Sequence, residues 1–336
     1  MIAAGSLLEF VMGAVPSFPV GRVEFLHLYP FSFLEFLTVL GQQQALAQFH
    51  QLPVAPFVHQ ILLDLFHTYT IVGGMPEVIQ TYAETRDMSA LTPVYESIWL
   101  TYKADVQKYA KNETERRVIN HIMNSAPYQV EQRIKFQHFG NSNYKSREVG
   151  EAFRALDDAK IVQLIYPSTA LHIPITPHLK KSPRIQFLDT GLLNFAKGIR
   201  ARLIGVKDMS NAYKGAIIQH IVFQEIMSLN RRVHKKPHFW VREKKTSSAE
   251  LDLLLEGDQL VIPIEIKSGN QGTLRSLHQF VEQADHPYAI RLYAGAFDVQ
   301  RAQTPAGKPY FLMNLPYYLS AKLPEYIHWF INTYAS

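Results

Sequence analysis

AELDLLLEGDQLVIPIEIK, residues 249–267, is the stretch that decides the fold, because it combines two apolar segments with acidic residues at defined places. Its second segment, Leu260–Ile264, is almost wholly apolar, which is typical of a central strand covered on both faces. Charged side chains, Glu265 and Lys267, follow only at the carboxyl end of this strand. Because side chains alternate along a strand, these two are expected to point to the same face.

The first segment supplies a second carboxylate, Asp252, one predicted strand earlier. An Asp followed on the next strand by Glu-x-Lys matches the pattern D-x(n)-(D/E)-x-K of metal-dependent nucleases. Hard divalent cations prefer oxygen ligands, and they polarise both a scissile phosphate and the attacking water. A bare Glu-x-Lys has an alternative explanation, a strand that simply reaches solvent.

Hydrophobic periodicity predicts a set of elements around this motif: helices at 215–229 and 276–283, and strands at 238–242, 250–256, 261–267 and 289–294. Their order, αβββαβ, is the skeleton of a restriction-endonuclease-like core. The first helix carries Glu225 near the apolar side of a core-facing surface. Ser268-Gly269 supplies a turn directly after the motif. The context therefore agrees with the motif, and the C-terminal domain is predicted to span 201–336.

The sequence before this domain divides into three further segments, with predicted bounds 1–50, 51–112 and 113–200. The first is expected to be the end of an α/β core, with strands at 1–4 and 23–28 and a helix capped at Ser32. The second has helical periodicity, broken at Gly73-Gly74, and is predicted to be a helical lid or connector. In the third, helices followed by a two-stranded ribbon predict a winged-helix-like domain.

Seven landmarks carry a family resemblance: Gly21-Arg22-Val23, Pro30-Phe31-Ser32-Phe33, Gly73-Gly74-Met75-Pro76-Glu77, Asp189-Thr190-Gly191-Leu192, Glu225, Glu250-Leu251-Asp252 and Pro263-Ile264-Glu265-Ile266-Lys267. With them the chain resembles bacterial and archaeal AAA-type ATPases that end in a PD-(D/E)XK nuclease-like domain of unknown function. The resemblance implies an α/β multidomain protein with a remnant of the ATPase core, a winged-helix-like middle and a restriction-endonuclease-like end.

The resemblance also implies roles for four residues. Asp252 and Glu265 would bind Mg²⁺ or Mn²⁺, Glu225 would support the metal from its helix, and Lys267 would assist or orient the attacking water. These four form the expected catalytic set, and the three carboxylates are the expected metal ligands. Nuclease activity itself is not implied.

The phosphate loop of such ATPases, G-x-x-x-x-G-K-[ST], is missing from this sequence. Gly307-Lys308 is followed by Pro309 and has no upstream glycine at the required distance. The sequence therefore resembles a truncated ATPase-family protein that starts near the end of the ATPase core. We expect no ATP cofactor and no autonomous ATP hydrolysis.

Basic residues flank or lie on the second predicted helix of the winged-helix-like segment, at Lys145, Arg147 and Arg154. Contacts to phosphates usually gather at this position, so these three are the candidate nucleic-acid-binding residues. A solvated basic face is the alternative explanation.

The overall composition sets wider limits. An apolar fraction of 47% with 19% charged residues matches a globular protein and excludes a disordered one. The net charge of +5 gives only mild attraction to polyanions. The sequence has no cysteine, which excludes disulfides and thiolate metal sites and favours a cytoplasmic location. No stretch reaches the roughly 20 apolar residues of a membrane helix, so no membrane partner is expected.

Two functions remain open from sequence. The first is a metal-dependent nucleic-acid-binding protein, with or without nuclease activity, and DNA is its expected partner. The second is a non-catalytic interaction or regulatory module that binds a protein partner or a second copy of itself. The intact Asp252, Glu265 and Lys267 set favours the first function, and the missing ATPase half favours the second.

Overall fold

Helices build the N-terminal part of the fold. The computed structural model of the chain describes residues 22, 24–108, 110–130, 132–200, 215–229, 235–242, 249–269 and 273–334. Its first helices are α1 (Phe33–Val39), α2 (Gln43–Phe49), α3 (His59–Val72), α4 (Pro76–Thr85) and α5 (Leu91–Lys108), and a 3-10 turn (Pro56–Val58) precedes α3.

The predicted start of α1 is confirmed in detail. The Ser32 hydroxyl accepts a hydrogen bond from the Glu35 amide, while the Glu35 carboxylate accepts one from the Ser32 amide at 2.8 Å. This reciprocal capping box satisfies amides that the first turn of a helix leaves without partners. The strand predicted at 23–28 is wrong over its described residues, 24–28, which form no strand. The strand predicted at 1–4 lies outside the described residues.

The middle of the chain contains helices and a short ribbon: α6 (Glu113–Ser125), α7 (Ser146–Asp158), β1 (Val162–Ile165), β2 (Arg184–Phe187) and α8 (Thr190–Ala196). Strands β1 and β2 pair antiparallel, with Val162 opposite Phe187. We call this pair the β1–β2 ribbon. Helix α7 presents one apolar face, which includes Phe153 and Leu156, to the core beneath it.

A mixed six-stranded sheet forms the C-terminal part. Its elements are α9 (Ala216–Ser228), β3 (His238–Val241), β4 (Glu250–Gly257), β5 (Leu260–Ile266), α10 (Arg275–Val281), β6 (Tyr288–Tyr293), β7 (Asp298–Gln303), β8 (Pro309–Pro316) and α11 (Leu323–Thr333). The strand order is β3-β4-β5-β6-β8-β7. Strand β5 runs antiparallel to β4 and parallel to β6.

Both faces of β5 are covered, as its apolar sequence predicts. Ile262 and Ile264 belong to the large core that also contains α9 and the N-terminal helices. Val261 belongs to a second core, which includes Leu277 and Phe280 of α10. The strand is therefore central in the sheet and buried, and its polar residues appear only where it ends.

The chain is thus an α/β protein, with a helical N-terminal region followed by a mixed sheet with helices. Two further strands, β7 and β8, lie between β6 and the last helix, α11. Among the helices that the structure describes, none has both the length and the apolar character needed to cross a membrane.

Candidate functional site

Asp252 and Glu265 lie side by side on neighbouring strands. Strands β4 and β5 are antiparallel, and their register pairs Leu253 with Ile264. The next position in this register sets Asp252 opposite Glu265, so both side chains leave the sheet on the same face. Asp252 is fixed by its Oδ2 atom, which accepts a hydrogen bond from the Ile266 amide at 2.9 Å.

Lys267 completes this cluster. Its ammonium Nζ lies 2.5 Å from Glu265 Oε1, which agrees with the predicted common face. The second carboxylate oxygen, Glu265 Oε2, is buried and has no hydrogen-bond partner. We call Asp252, Glu265 and Lys267 the acidic cluster; it holds two neighbouring carboxylates and the lysine that pairs with Glu265.

Burial and the neighbouring carboxylate together raise the pKa of Glu265 to about 7. Loss of solvent is the largest cause, since it disfavours the charged form, and repulsion from Asp252 adds to it. The positive charges of Lys267 and Arg184 offset part of this rise. Burial thus leaves ionised Glu265 only partly compensated, and a cation bound beside it would stabilise its charged form.

Arg184 reaches the acidic cluster from the β1–β2 ribbon. Its guanidinium stacks on the Phe239 ring, with Cζ 4.5 Å from the ring centroid, and donates a hydrogen bond to Glu250. Its Nη1 lies 3.6 Å from Asp252 Oδ1. Arg133 adds a second guanidinium, with Nη1 3.8 Å from Glu250 Oε2. Two guanidinium groups from the middle of the chain, those of Arg133 and Arg184, thus lie beside carboxylates of the C-terminal sheet.

Glu225 does not join the acidic cluster, so the predicted convergence of three carboxylates is wrong. Its Oε1 accepts a hydrogen bond from the Phe33 amide at 3.0 Å instead. The physical reason is its place on α9. A side chain at Gly215, just before the helix, would come within 3.8 Å of Ser268 Oγ, so the helix is near the motif there. Glu225 lies roughly 15 Å further along the helix axis.

Without Glu225, the candidate metal site has two carboxylates instead of three. Among the described residues, no group of three or more His, Asp or Glu side chains is arranged to hold a metal ion. Asp252 and Glu265 remain as a pair of carboxylates on one face, and Glu265 Oε2 is buried without a hydrogen-bond partner. The donor set is all oxygen and suits a hard divalent cation bound by two protein carboxylates and water.

Glu225 belongs to a buried polar network, formed by the side chains of Tyr69, Asp189, Gln224 and Glu225. Asp189 caps α8 and accepts hydrogen bonds from the amides of Gly74 and Leu192 at 2.6 and 2.8 Å. The Gln224 amide nitrogen lies 3.3 Å from Asp189 Oδ2. Three segments that are far apart in sequence meet at this one carboxylate.

The other half of the network surrounds Tyr69. Its hydroxyl lies 2.7 Å from the Phe31 carbonyl oxygen and 2.8 Å from Glu225 Oε1. The Gln224 amide nitrogen approaches the same hydroxyl at 3.3 Å and so joins the two halves. Four of the seven sequence landmarks, those at 30–33, 73–77, 189–192 and 225, therefore meet in this network. Their role here is to hold the N-terminal helices, α8 and α9 together.

Both carboxylates of the network are fully buried, and burial raises their pKa values, to about 6 for Asp189 and about 7 for Glu225. Hydrogen bonds from Gly74 and Leu192 to Asp189 oppose this rise. Glu225 Oε2 has no hydrogen-bond partner, so ionised Glu225 is poorly compensated in the interior.

We expect Glu225→Gln to change how stability depends on pH. The folded pKa of about 7 exceeds the ordinary 4.5, so the stabilising contribution of protonated Glu225 is complete below pH 4.5 and is lost as pH rises through 7. Glutamine cannot ionise. As pH rises, the parent should lose stability that the variant keeps. The unfolding free energy of the variant should therefore gain up to about 3 kcal/mol on that of the parent between acidic and mildly alkaline buffer.

Urea unfolding of both proteins at about pH 5 and about pH 8 measures this difference. The contribution of Asp189 is present in both proteins and cancels. An equal difference at the two pH values would contradict the assignment of Glu225 as a buried group that prefers its proton.

The candidate nucleic-acid-binding residues lie on α7 or just before it. Lys145 precedes the helix, while Arg147 and Arg154 are on its exposed surface. Arg147 pairs with Glu151 one turn away at 2.9 Å. Beside the first residue of α7 lies a groove whose basic lining residues are Lys135, Lys180 and Lys181. We call this the basic groove. It extends the positive surface beyond the three predicted residues.

Sequence reasoning missed the roles of Arg133 and Arg184 at the acidic cluster. Arg184 is the first residue of β2, and its guanidinium contacts Glu250 and Asp252 of β4. Only the alternation of β2 gives a signal, because Ile185 and Phe187 face the core and Arg184 and Gln186 share the other side. That alternation cannot reveal the partner.

Two family models match the chain. Residues 63–203 match a domain of unknown function, DUF8612, and residues 214–317 match another, DUF4143. In bacterial proteins DUF4143 is typically C-terminal to AAA ATPases. No curated protein and no solved structure gives a match. The chain is therefore similar to a pair of such domains, and the second of them contains the whole acidic cluster.

Proposed function

We propose that this chain is a metal-dependent nucleic-acid-binding protein whose C-terminal domain carries a PD-(D/E)XK nuclease-like site. The observation that carries the proposal is the pairing of Asp252 with Glu265 across β4 and β5, with Lys267 Nζ 2.5 Å from Glu265. The order α9-β3-β4-β5-α10-β6 supports the same assignment, because it repeats the αβββαβ skeleton of restriction-endonuclease-like domains. The match to a domain that typically follows AAA ATPases supports the relation to that family.

Mg²⁺ or Mn²⁺ would be held by Asp252 and Glu265. Asp252 Oδ1 and Glu265 Oε2 are the oxygens left without a hydrogen bond from the main chain or from Lys267. When bound, such a cation polarises a phosphodiester and lowers the pKa of a water molecule. Protein groups then have two tasks. The carboxylates fix the position of the cation, and Lys267 stabilises negative charge that develops on the phosphate or orients the attacking water.

The middle of the chain would guide the nucleic acid. Helices α6 and α7 followed by the β1–β2 ribbon are the elements of a winged-helix-like domain, and the second helix of such domains usually approaches the nucleic acid. Lys145, Arg147 and Arg154 are exposed there, and the basic groove lies beside the start of α7. Positive side chains on an exposed helix and groove suit contacts to phosphates, which position a nucleic acid without reading its sequence.

The second candidate function is a non-catalytic interaction module derived from an AAA-related protein. The charge balance at the acidic cluster favours it, because Arg133, Arg184 and Lys267 together match the formal charges of Glu250, Asp252 and Glu265. A protein in which those charges serve only to join the ribbon to the sheet would bind no divalent cation. Metal binding therefore discriminates between the two candidates.

Binding to duplex DNA should be weak and strongly dependent on salt. Three phosphate contacts give a slope of roughly −2.7 in log affinity against log salt, so a fourfold rise in salt should weaken binding roughly 40-fold. Replacing Lys145, Arg147 and Arg154 together by alanine should remove most of this dependence. Fluorescence anisotropy with a labelled duplex of mixed sequence measures both quantities.

A matched triple variant keeps the test specific. Arg86, Arg275 and Arg301 are exposed arginines outside α7 and the basic groove. Their joint replacement by alanine removes the same charge and should change the affinity far less. If both triple variants bind as the parent does, α7 has no part in nucleic-acid binding.

A further inference from the structure

One guanidinium from the middle of the chain stands at the acidic cluster, in the place where a bound cation would be attracted. Arg184 is mostly buried, with 15% of its side chain exposed, and Asp252 is similarly shielded at 20%. The Nη1 atom of Arg184 is buried and has no hydrogen-bond partner. At 3.6 Å from Asp252 Oδ1 it is too far for a hydrogen bond, yet close enough to neutralise charge.

Other contacts hold Arg184 in this place. Its Nη2 atom donates to Glu250, and its plane stacks on Phe239 of β3. Asp252 in turn is held by the Ile266 amide. The guanidinium is thus anchored next to Asp252 by groups other than Asp252, so the Oδ1 lone pairs of Asp252 stay free of hydrogen bonds.

The ribbon that carries Arg184 is joined to the edge of the sheet through the loop between β1 and β2. Ser168, in the loop between β1 and β2, donates to the Phe239 carbonyl at 2.7 Å and accepts from the Val241 amide at 3.0 Å. In the same loop the Ile175 amide donates to Glu256 at 2.8 Å. Strand β3 is the edge strand of the sheet, and the ribbon residues Ile185 and Phe187 share the large core with Phe239 of that strand, so Arg184 is held at a fixed place beside the acidic cluster.

We infer that Arg184 is an internal counter-ion that competes with a divalent cation for Asp252 and so weakens cation binding at the acidic cluster. This inference rests on the proposed metal site. A divalent cation between Asp252 and Glu265 would face the fixed positive charge of Arg184 at short range, and like charges in a partly buried place repel strongly. Removal of that charge strengthens cation binding.

The test is calorimetric titration of Mn²⁺ into the full chain at low ionic strength. Arg184→Gln should bind Mn²⁺ at least about tenfold more tightly than the parent. Arg184→Met removes the charge and keeps apolar contact with the Phe239 ring, so it serves if the glutamine variant does not fold. Arg184→Lys keeps a positive charge and should stay close to the parent. The control is Arg301→Gln, which removes another guanidinium stacked on a phenylalanine, and it should leave the affinity unchanged.

The double variant Arg184→Gln with Asp252→Asn decides whether the two residues act on the same cation. The gain from removing Arg184 should vanish when Asp252 is absent, because the competition is for its carboxylate. Parent and Arg184→Gln binding Mn²⁺ equally would overturn the inference and leave the metal site intact. Loss of affinity in Arg184→Gln would also overturn it. Absence of Mn²⁺ binding in every protein would overturn both the inference and the proposed function.

Discussion

Gly73→Ala is expected to lower the free energy of unfolding by about 3 kcal/mol or more, because two costs combine at this position. Gly73 has a φ of +69°, which a side chain disfavours. A Cβ atom there would also lie 2.7 Å from Asp189 Oδ2 and 2.6 Å from the Gly191 amide nitrogen. These atoms belong to the buried polar network and its helix cap, so they cannot move without losing hydrogen bonds.

Gly41→Ala is the matched control for this prediction. Gly41 has nearly the same φ, +68°, but a Cβ atom there would have nothing within 4 Å. Only the backbone cost remains, about 1 kcal/mol. Urea unfolding of the two variants therefore separates the cost of a positive φ from the added cost of the Gly73 backbone, whose ψ of −168° suits only glycine, and of contact with Asp189. Equal losses in both variants would contradict the prediction, because they would show that Asp189 and Gly191 move to accommodate the extra atom at no cost.

The second large effect is expected at Lys267. If the acidic cluster cleaves a phosphodiester, Lys267→Ala should reduce the single-turnover rate by about 100-fold or more, because a charge aimed at the reacting phosphate or water contributes on that scale. The same variant should not weaken Mn²⁺ binding, since the ammonium group repels the cation and does not ligate it. A rate and an affinity that fall together would assign Lys267 to the fold of the site and not to the chemistry.

Lys235→Ala is a suitable control for that measurement. Lys235 is an exposed lysine just before β3 that pairs with Glu256 of β4 at 2.8 Å. Its removal changes the net charge equally but leaves the acidic cluster untouched, so the rate should stay within about twofold of the parent. A loss equal to that of Lys267→Ala would show that the rate depends on net charge alone.

Local patterns made much of the C-terminal domain predictable. The apolar run before Glu265 predicted a central strand, and alternation predicted that Glu265 and Lys267 share a face; both are confirmed. Ser32 was a reliable helix start, because a cap depends only on its immediate neighbours. The antiparallel ribbon of β1 and β2 was also predicted from strand patterns.

The failures concern information that a local pattern does not contain. Strand β7 was missed because it is an exposed edge strand of mostly polar residues, and its conformation is set by its pairing with β8. Glu225 was assigned to the acidic cluster from its residue type, whereas its place along α9 directs it to Tyr69 and Phe33. The approach of Arg184 to Asp252 joins the ribbon to the sheet across a long sequence separation, and no spacing rule predicts such a contact.

The landmarks that resemble an ATPase family have two different physical roles in this fold. Those at 30–33, 73–77 and 189–192 meet in the buried polar network and stabilise a junction between helices. Those around Asp252 and Glu265 lie in the acidic cluster. There Glu265 Oε2 has no hydrogen-bond partner, and the charge of Arg184 lies beside Asp252. Function is therefore to be sought at the second set, while substitutions in the first are expected to act through stability.

Calorimetric titration of Mn²⁺ into the parent chain and into a variant with both Asp252→Asn and Glu265→Gln tests the central claim most directly. The proposal predicts one cation bound per parent chain, and an affinity at least about 30-fold weaker in the double variant, which keeps the size of both side chains but loses their charge. Circular dichroism should show both proteins folded. A parent that binds no Mn²⁺, or a folded double variant that binds it as tightly as the parent, would contradict the assignment of Asp252 and Glu265 as a metal site.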